Sequence, residues 1–122
     1  MNAEKKTVVL GASPNPDRYS HLAVKKLRQR GHPVVAVGIK EGNIDDVIIQ
    51  KGMPTEKEVD TVTLYLNPLR QKEYYDYILS LKPNRIIFNP GAENPELEKL
   101  AEENNIEPTE ACTLVLLSTG QY

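Results

Sequence analysis

Val8-Val9-Leu10-Gly11-Ala12-Ser13-Pro14-Asn15-Pro16-Asp17-Arg18-Tyr19-Ser20 is the stretch from which the fold reads. A short β-branched run stops at Gly11, a turn rich in Ser, Pro and Asn follows, and a helical pattern then begins. Glycine lets a backbone approach an anion, and a helix N-terminus supplies unpaired N–H groups. This order of elements is therefore the layout of a phosphate-binding strand-to-helix turn. It points to a nucleotide-like ligand.

On the N-terminal side, Thr7 to Leu10 reads as a buried strand. On the C-terminal side, Ser20 to Arg30 has helical periodicity, with Ala23, Val24 and Leu27 on one side and Lys25, Lys26, Arg28 and Arg30 facing water. Gly31 is placed to stop that helix. His32-Pro33 leads into a second apolar strand, Val34 to Val37, ending at Gly38. Strand, turn, helix and strand in this order make a right-handed βαβ unit with parallel strands.

Further along, Val47-Ile48-Ile49 reads as a short edge strand or hairpin arm, and Gly52-Met53-Pro54 as the turn after it. Thr61 to Leu66 is the third main strand. Asn67-Pro68 ends it and opens a helix whose buried stripe is Tyr74, Tyr77, Ile78 and Leu81. Arg85 to Phe88 is the fourth strand, closed by the tight turn Asn89-Pro90-Gly91. Asn94 is placed as an N-cap, with Pro95 at the first helical position and Glu96 and Glu98 at the positive helix end. Leu97, Leu100 and Ala101 give that helix its buried face. Ile106 to Glu110 is a short fifth strand, and Thr113 to Ser118 a final apolar turn or short helix.

This alternation predicts one α/β domain over residues 1–122. The expected fold is a Rossmann-like, doubly wound parallel sheet of about five strands with helices on both faces. In such sheets ligands bind beyond the carboxyl ends of the strands, where the strand order reverses. The turns after Leu10, Val37, Leu66 and Phe88 are then expected to gather on one edge.

Composition narrows the partners. The 122 residues carry 39% hydrophobic and 26% charged residues, as an ordinary globular domain does. Net charge is −2 and no basic run appears, so duplex nucleic acid is not the expected partner. A single cysteine, Cys112, forms no intrachain disulfide and fits a reducing cytoplasm. Met1 to Lys6 is polar, and no apolar stretch approaches membrane-spanning length, so neither secretion nor a membrane is expected.

The dinucleotide fingerprint G-x-G-x-x-G is absent, because Gly11 is followed by Ser13, Pro14 and Pro16. An acid that would grip a ribose diol is also missing after the second strand, where Gly38-Ile39-Lys40 stands. Lysine suits a ribose phosphate. The candidates are coenzyme A, with its 3′-phosphate, and NADP, with its 2′-phosphate.

With Arg18 and Ser20, the Gly11-Ala12-Ser13 turn resembles the small bacterial CoA-binding domain proteins, relatives of the N-terminal domain of the succinyl-CoA synthetase alpha chain. Tyr65-Leu66-Asn67-Pro68, Phe88-Asn89-Pro90-Gly91 and Ala111-Cys112-Thr113 are similar to the later strand-end turns of that family. The resemblance implies a coenzyme A or acyl-CoA ligand. Its binding set would be Gly11, Ala12, Ser13, Pro16, Arg18, Tyr19 and Ser20 on the first turn and Gly38, Ile39 and Lys40 on the second. Leu66, Asn67 and Pro68 would follow on the third, Phe88, Asn89, Pro90 and Gly91 on the fourth, and Cys112 beyond. Ser13 to Arg18 would hold the diphosphate and Lys40 the phosphorylated ribose. Many family members have Asn-Pro where this chain has Ile39-Lys40. The larger synthetases use a phosphorylated histidine in a second domain that has no counterpart in these residues, so the resemblance implies binding without catalysis.

Other readings remain open. One is a small NADP-dependent oxidoreductase. Another is a regulatory protein that senses the nucleotide and reports to a protein partner. A third is a mixed disulfide between Cys112 and the CoA thiol. Residue by residue, Gly11 and Arg18 are read as ligand contacts, since a cation at a helix N-terminus needs a nearby anion. Tyr19 is read as covering the helix start, and His21 as a surface or boundary histidine. No catalytic triad and no metal-ligand spacing is present.

Overall fold

The computed structural model describes residues 4–122. The elements are β1 (Thr7–Leu10), α1 (Tyr19–Gln29), β2 (Val34–Val37), β3 (Asn43–Ile44), β4 (Val47–Gln50), β5 (Thr61–Leu64), α2 (Pro68–Gln71), a 3-10 turn (Lys72–Tyr74), α3 (Tyr75–Ser80), β6 (Arg85–Phe88), α4 (Pro95–Glu103), β7 (Glu107–Glu110) and α5 (Thr113–Ser118). The strands form one sheet in the order β3-β4-β2-β1-β5-β6-β7. Neighbours run parallel throughout except β3 and β4. From β1 the chain steps to β2 and β4 on one side, then crosses to β5 on the other. The strand order therefore reverses between β1 and β5.

Both sheet faces are buried because successive strand residues alternate sides. Val8 and Leu10 of β1 pack with Val62, Leu64, Ile86 and Phe88 against Tyr77, Ile78 and Leu81 and against Leu97 and Ala101 of α4. Val9 faces the other way, with Ala36 and Ile49, against Val24 and Leu27 of α1 and Leu117 of α5. Val24 and Leu27 are fully buried, which stabilises the docking of α1 by roughly 1.5–3 kcal/mol each. Gly31 ends that helix at φ 84°, and the His32 amide reaches back to the Leu27 carbonyl.

The sheet has seven strands, not the expected five or so. The additional pair is the β3–β4 hairpin. The apolar triple in β4 alternates buried Val47, exposed Ile48 and buried Ile49, and its partner β3 is only Asn43–Ile44. Two residues carry no hydrophobic pattern that a sequence reading can detect. The hairpin is fixed from outside by the Arg28 guanidinium, which donates to both Asp46 carboxylate oxygens at 3.1 and 2.8 Å. The third main strand also stops two residues early, at Leu64. The stripe of Tyr77, Ile78 and Leu81 is buried as expected, but the helix carrying it is broken into α2, the 3-10 turn and α3.

Candidate functional site

The turns after β1, β2, β5 and β6 gather at the carboxyl edge of the sheet and enclose a cleft of about 820 Å³. Its walls hold Gly11 to Asn15 and Arg18 to Ser20 from the first turn, and Val37 to Lys40 from the second. Tyr65 to Asn67, Arg70 and Tyr74 follow, then Pro90 to Ala92. The cleft lies over the β1–β5 reversal, where a doubly wound sheet leaves room for a ligand.

The first turn is held rigid by its own side chains. Ser13 Oγ accepts from the Asn15 amide at 3.1 Å, and Asn15 Oδ1 accepts from the Asp17 amide at 3.0 Å. Such local turns are what Ser and Asn favour. The Gly11 and Ala12 amides both donate to the Val37 carbonyl at 2.9 Å, so neither points at a ligand. Gly11 instead solves a packing problem. Its φ is 95°, and a Cβ there would lie 3.0 Å from the Tyr65 carbonyl carbon. Gly38 is tighter still, since its Cβ would stand 2.1 Å from the Ala12 carbonyl oxygen.

Helix α1 opens onto the cleft without a cap. Arg18 occupies the N-cap position with no side-chain hydrogen bond, and no acid stands in the first turn. Among the described residues, the amides of Ser13, Tyr19 and Ser20 have no acceptor. Helix α3 continues directly from the 3-10 turn, and the starts of α2, α4 and α5 have side-chain partners. Asn67 caps α2, Asn94 caps α4 with Glu96 and Glu98 in its first turn, and the first amide of α5 donates to Asn89 Oδ1 at 2.9 Å. Arg18, Lys40 and Arg70 bring three cations to the cleft, and among the described residues no carboxylate lines it. Among the described residues none of the three is in a salt bridge. The floor contributes Tyr65, whose buried hydroxyl has no hydrogen-bond partner among the described residues. Burial pushes that phenol above its ordinary range, so it stays neutral.

The structure brings together Gly11, Ala12, Ser13, Arg18, Tyr19, Ser20, Gly38, Ile39, Lys40, Leu66, Asn67, Pro90 and Gly91 as cleft residues. Pro16, Pro68, Phe88, Asn89 and Cys112 fall outside the lining. Phe88 is a core residue, and Asn89 is buried with its side chain committed to Thr63, Leu64 and Thr113. Pro68 starts α2, and half-buried Cys112 precedes α5. His21 is buried rather than a surface residue, with Nδ1 bonded to the Ser13 carbonyl. Arg70 was not singled out from sequence, Tyr65 was named only within the Tyr65-Leu66-Asn67-Pro68 turn, and Tyr74, expected in the buried stripe, is half-buried and lines the cleft. Arg70 follows the Asn67-Pro68 turn by one helical step, the signal that could have found it.

The chain matches the CoA binding domain family over residues 5–118. It belongs to the CoA binding domain family. The crystal structure of an uncharacterized protein is 52% identical to it, with a TM-score of 0.96 over 99% of this chain and 100% of that one. A Thermus thermophilus structure has the same fold at 23% identity, with a TM-score of 0.83 over 98% of this chain and 91% of that one. The uncharacterized protein YneT of Bacillus subtilis is 29% identical over 73 residues, 60% of this chain. The match spans only 52% of YneT's own length. No helix among the described residues is long and apolar enough to cross a membrane.

Proposed function

We propose that the cleft binds coenzyme A or an acyl-CoA thioester and that the domain acts by binding rather than by catalysis. The observation that carries this is the uncapped start of α1. There, among the described residues, free amides and the Arg18 guanidinium face a cleft that holds two more cations and no carboxylate. A helix N-terminus with free N–H groups and a nearby guanidinium suits a diphosphate. Family membership supports the identity of the nucleotide.

In this reading the ribose phosphate lies at Lys40, beyond β2, and the diphosphate lies at Ser13 and the α1 N-terminus, beyond β1. The pantetheine arm then crosses the β5 and β6 turns toward Leu66, Tyr74 and Ala92. Strand ends about 4.8 Å apart give a trench that suits a long ligand.

Isothermal titration calorimetry with CoA, acetyl-CoA, NADP and NAD tests the proposal. CoA and acetyl-CoA binding in the micromolar range or tighter, with weak or absent NADP and NAD binding, is the expected result. Preferential binding of NADP would overturn it and point to the oxidoreductase reading.

A further inference from the structure

Gln71 is fully buried at the end of α2, and every hydrogen-bonding group of its side chain is used. Nε2 donates to the Leu66 carbonyl at 2.7 Å and to the Ala92 carbonyl at 2.8 Å. Oε1 accepts from Asn94 Nδ2 at 2.8 Å. The same Asn94 nitrogen donates to the Tyr75 hydroxyl, and Asn94 Oδ1 accepts from the Leu97 amide as the α4 cap. The amide cannot be turned over, because its oxygen would then face two carbonyl oxygens.

Leu66 and Ala92 both line the cleft, on the turns after β5 and β6. The ladder between those strands ends at Leu64 and Phe88. Beyond it, no backbone hydrogen bond among the described residues joins the two turns directly. Gln71 joins them, and the Asn94 bond anchors the join to α4.

We propose that Gln71 is a positioning residue that sets the separation of the β5 and β6 turns, and hence the fit of the cleft to the pantetheine arm. It touches no part of the adenosine end, which lies two strands away over β1 and β2. The inference rests on the CoA reading above. It predicts a loss confined to one half of the ligand, which general destabilisation does not produce.

The test is calorimetry of the intact protein with CoA and with adenosine 3′,5′-bisphosphate, which has the phosphorylated adenosine but no arm. Gln71→Met is expected to weaken CoA about tenfold, the scale of one or two lost buried hydrogen bonds, and to leave the bisphosphate unchanged. Asn94→Ser keeps a good helix cap but removes the donor to Gln71, and is expected to shift the ratio the same way by about threefold. It decides the matter if Gln71→Met does not fold. Equal weakening of both ligands, or of neither, overturns the inference but not the reading of the wild-type cleft as a CoA site. Wild-type protein that binds no CoA overturns the functional reading and this inference with it.

Discussion

His21 Nδ1 lies 3.0 Å from the carbonyl oxygen of Ser13, eight residues earlier, and joins the first turn of α1 to the loop that precedes it. A carbonyl only accepts, so Nδ1 carries the proton and the ring is held in one tautomer. Buried on α1, the ring turns the Ser13 carbonyl toward the helix. A carbonyl left free in the loop could turn toward the cleft and repel an anion.

His21→Phe keeps most of the ring volume and removes the donor. Unfolding free energy is expected to fall by about 1 kcal/mol in urea denaturation. CoA affinity is expected to fall several-fold, because the loop that presents the Ser13 amide loses its tether. A variant with lowered stability and unchanged affinity would show that the tether serves folding alone.

Much of the frame was legible because buried parallel strands are short apolar runs bounded by glycine or proline. Val8 to Leu10 and Val34 to Gly38 are of this kind, and so is Arg85 to Gly91. The β3–β4 hairpin was legible only in part, since it docks by pairing β4 with β2 and burying Ile44 and Ile49 against residues distant in the chain. The polar residues were harder. Asn89 in a tight turn reads as a ligand contact, yet its side chain ties β5, β6 and α5 together. Gln71 has no apolar pattern to mark it as buried. A buried amide is recognised by the carbonyls around it, and those come from turns far apart in the chain.

The close approach of the first two turns gives a second prediction. The Gly38→Ala methyl would meet the Ala12 carbonyl oxygen at 2.1 Å, so either β2 or the first turn must move. Overpacking of this kind destabilises by about 1–3 kcal/mol. Ala12 and Ser13 sit on the loop that would shift, so ligand affinity is expected to fall as well. Gly31→Ala is the control. Its Cβ meets nothing within 4 Å, though φ is 84°, so it is expected to lose about 1 kcal/mol of stability without changing affinity.

Acid sensitivity follows from His32, on the opposite edge of the sheet. The ring is buried against Tyr122, and its Nδ1 accepts the Lys5 amide at 3.0 Å. Burial first, then the Lys5 and Arg85 charges, lower its pKa below 6.5. A histidine whose folded pKa is depressed contributes stability that is present above the unfolded pKa. That contribution is lost as pH falls through the folded value. The thermal midpoint is therefore expected to drop below about pH 6.5, and His32→Gln is expected to flatten that part of the profile. Asp60 adds a separate loss in more acidic solution. Burial opposes its charge, but bonds from Thr61 and Asn84 win and hold the carboxyl below 3.8. A wild-type midpoint that stays level from pH 7 to 5 would remove the His32 argument.

Lys40 gives the sharpest test of ligand orientation. It is exposed, lines the cleft beyond β2 and makes no salt bridge among the described residues. In the proposed orientation it meets the ribose 3′-phosphate. An exposed ion pair is worth up to about 1 kcal/mol, so CoA is expected to bind roughly fivefold more tightly than dephospho-CoA. Lys40→Ala is expected to abolish that ratio while leaving dephospho-CoA affinity unchanged. High salt should erase it in the wild type too, because exposed charges are screened. Full retention of the ratio in Lys40→Ala would place the ribose phosphate elsewhere. Arg70, the cleft cation beyond β5, is then the next candidate, and the ligand would run along the trench in the opposite direction.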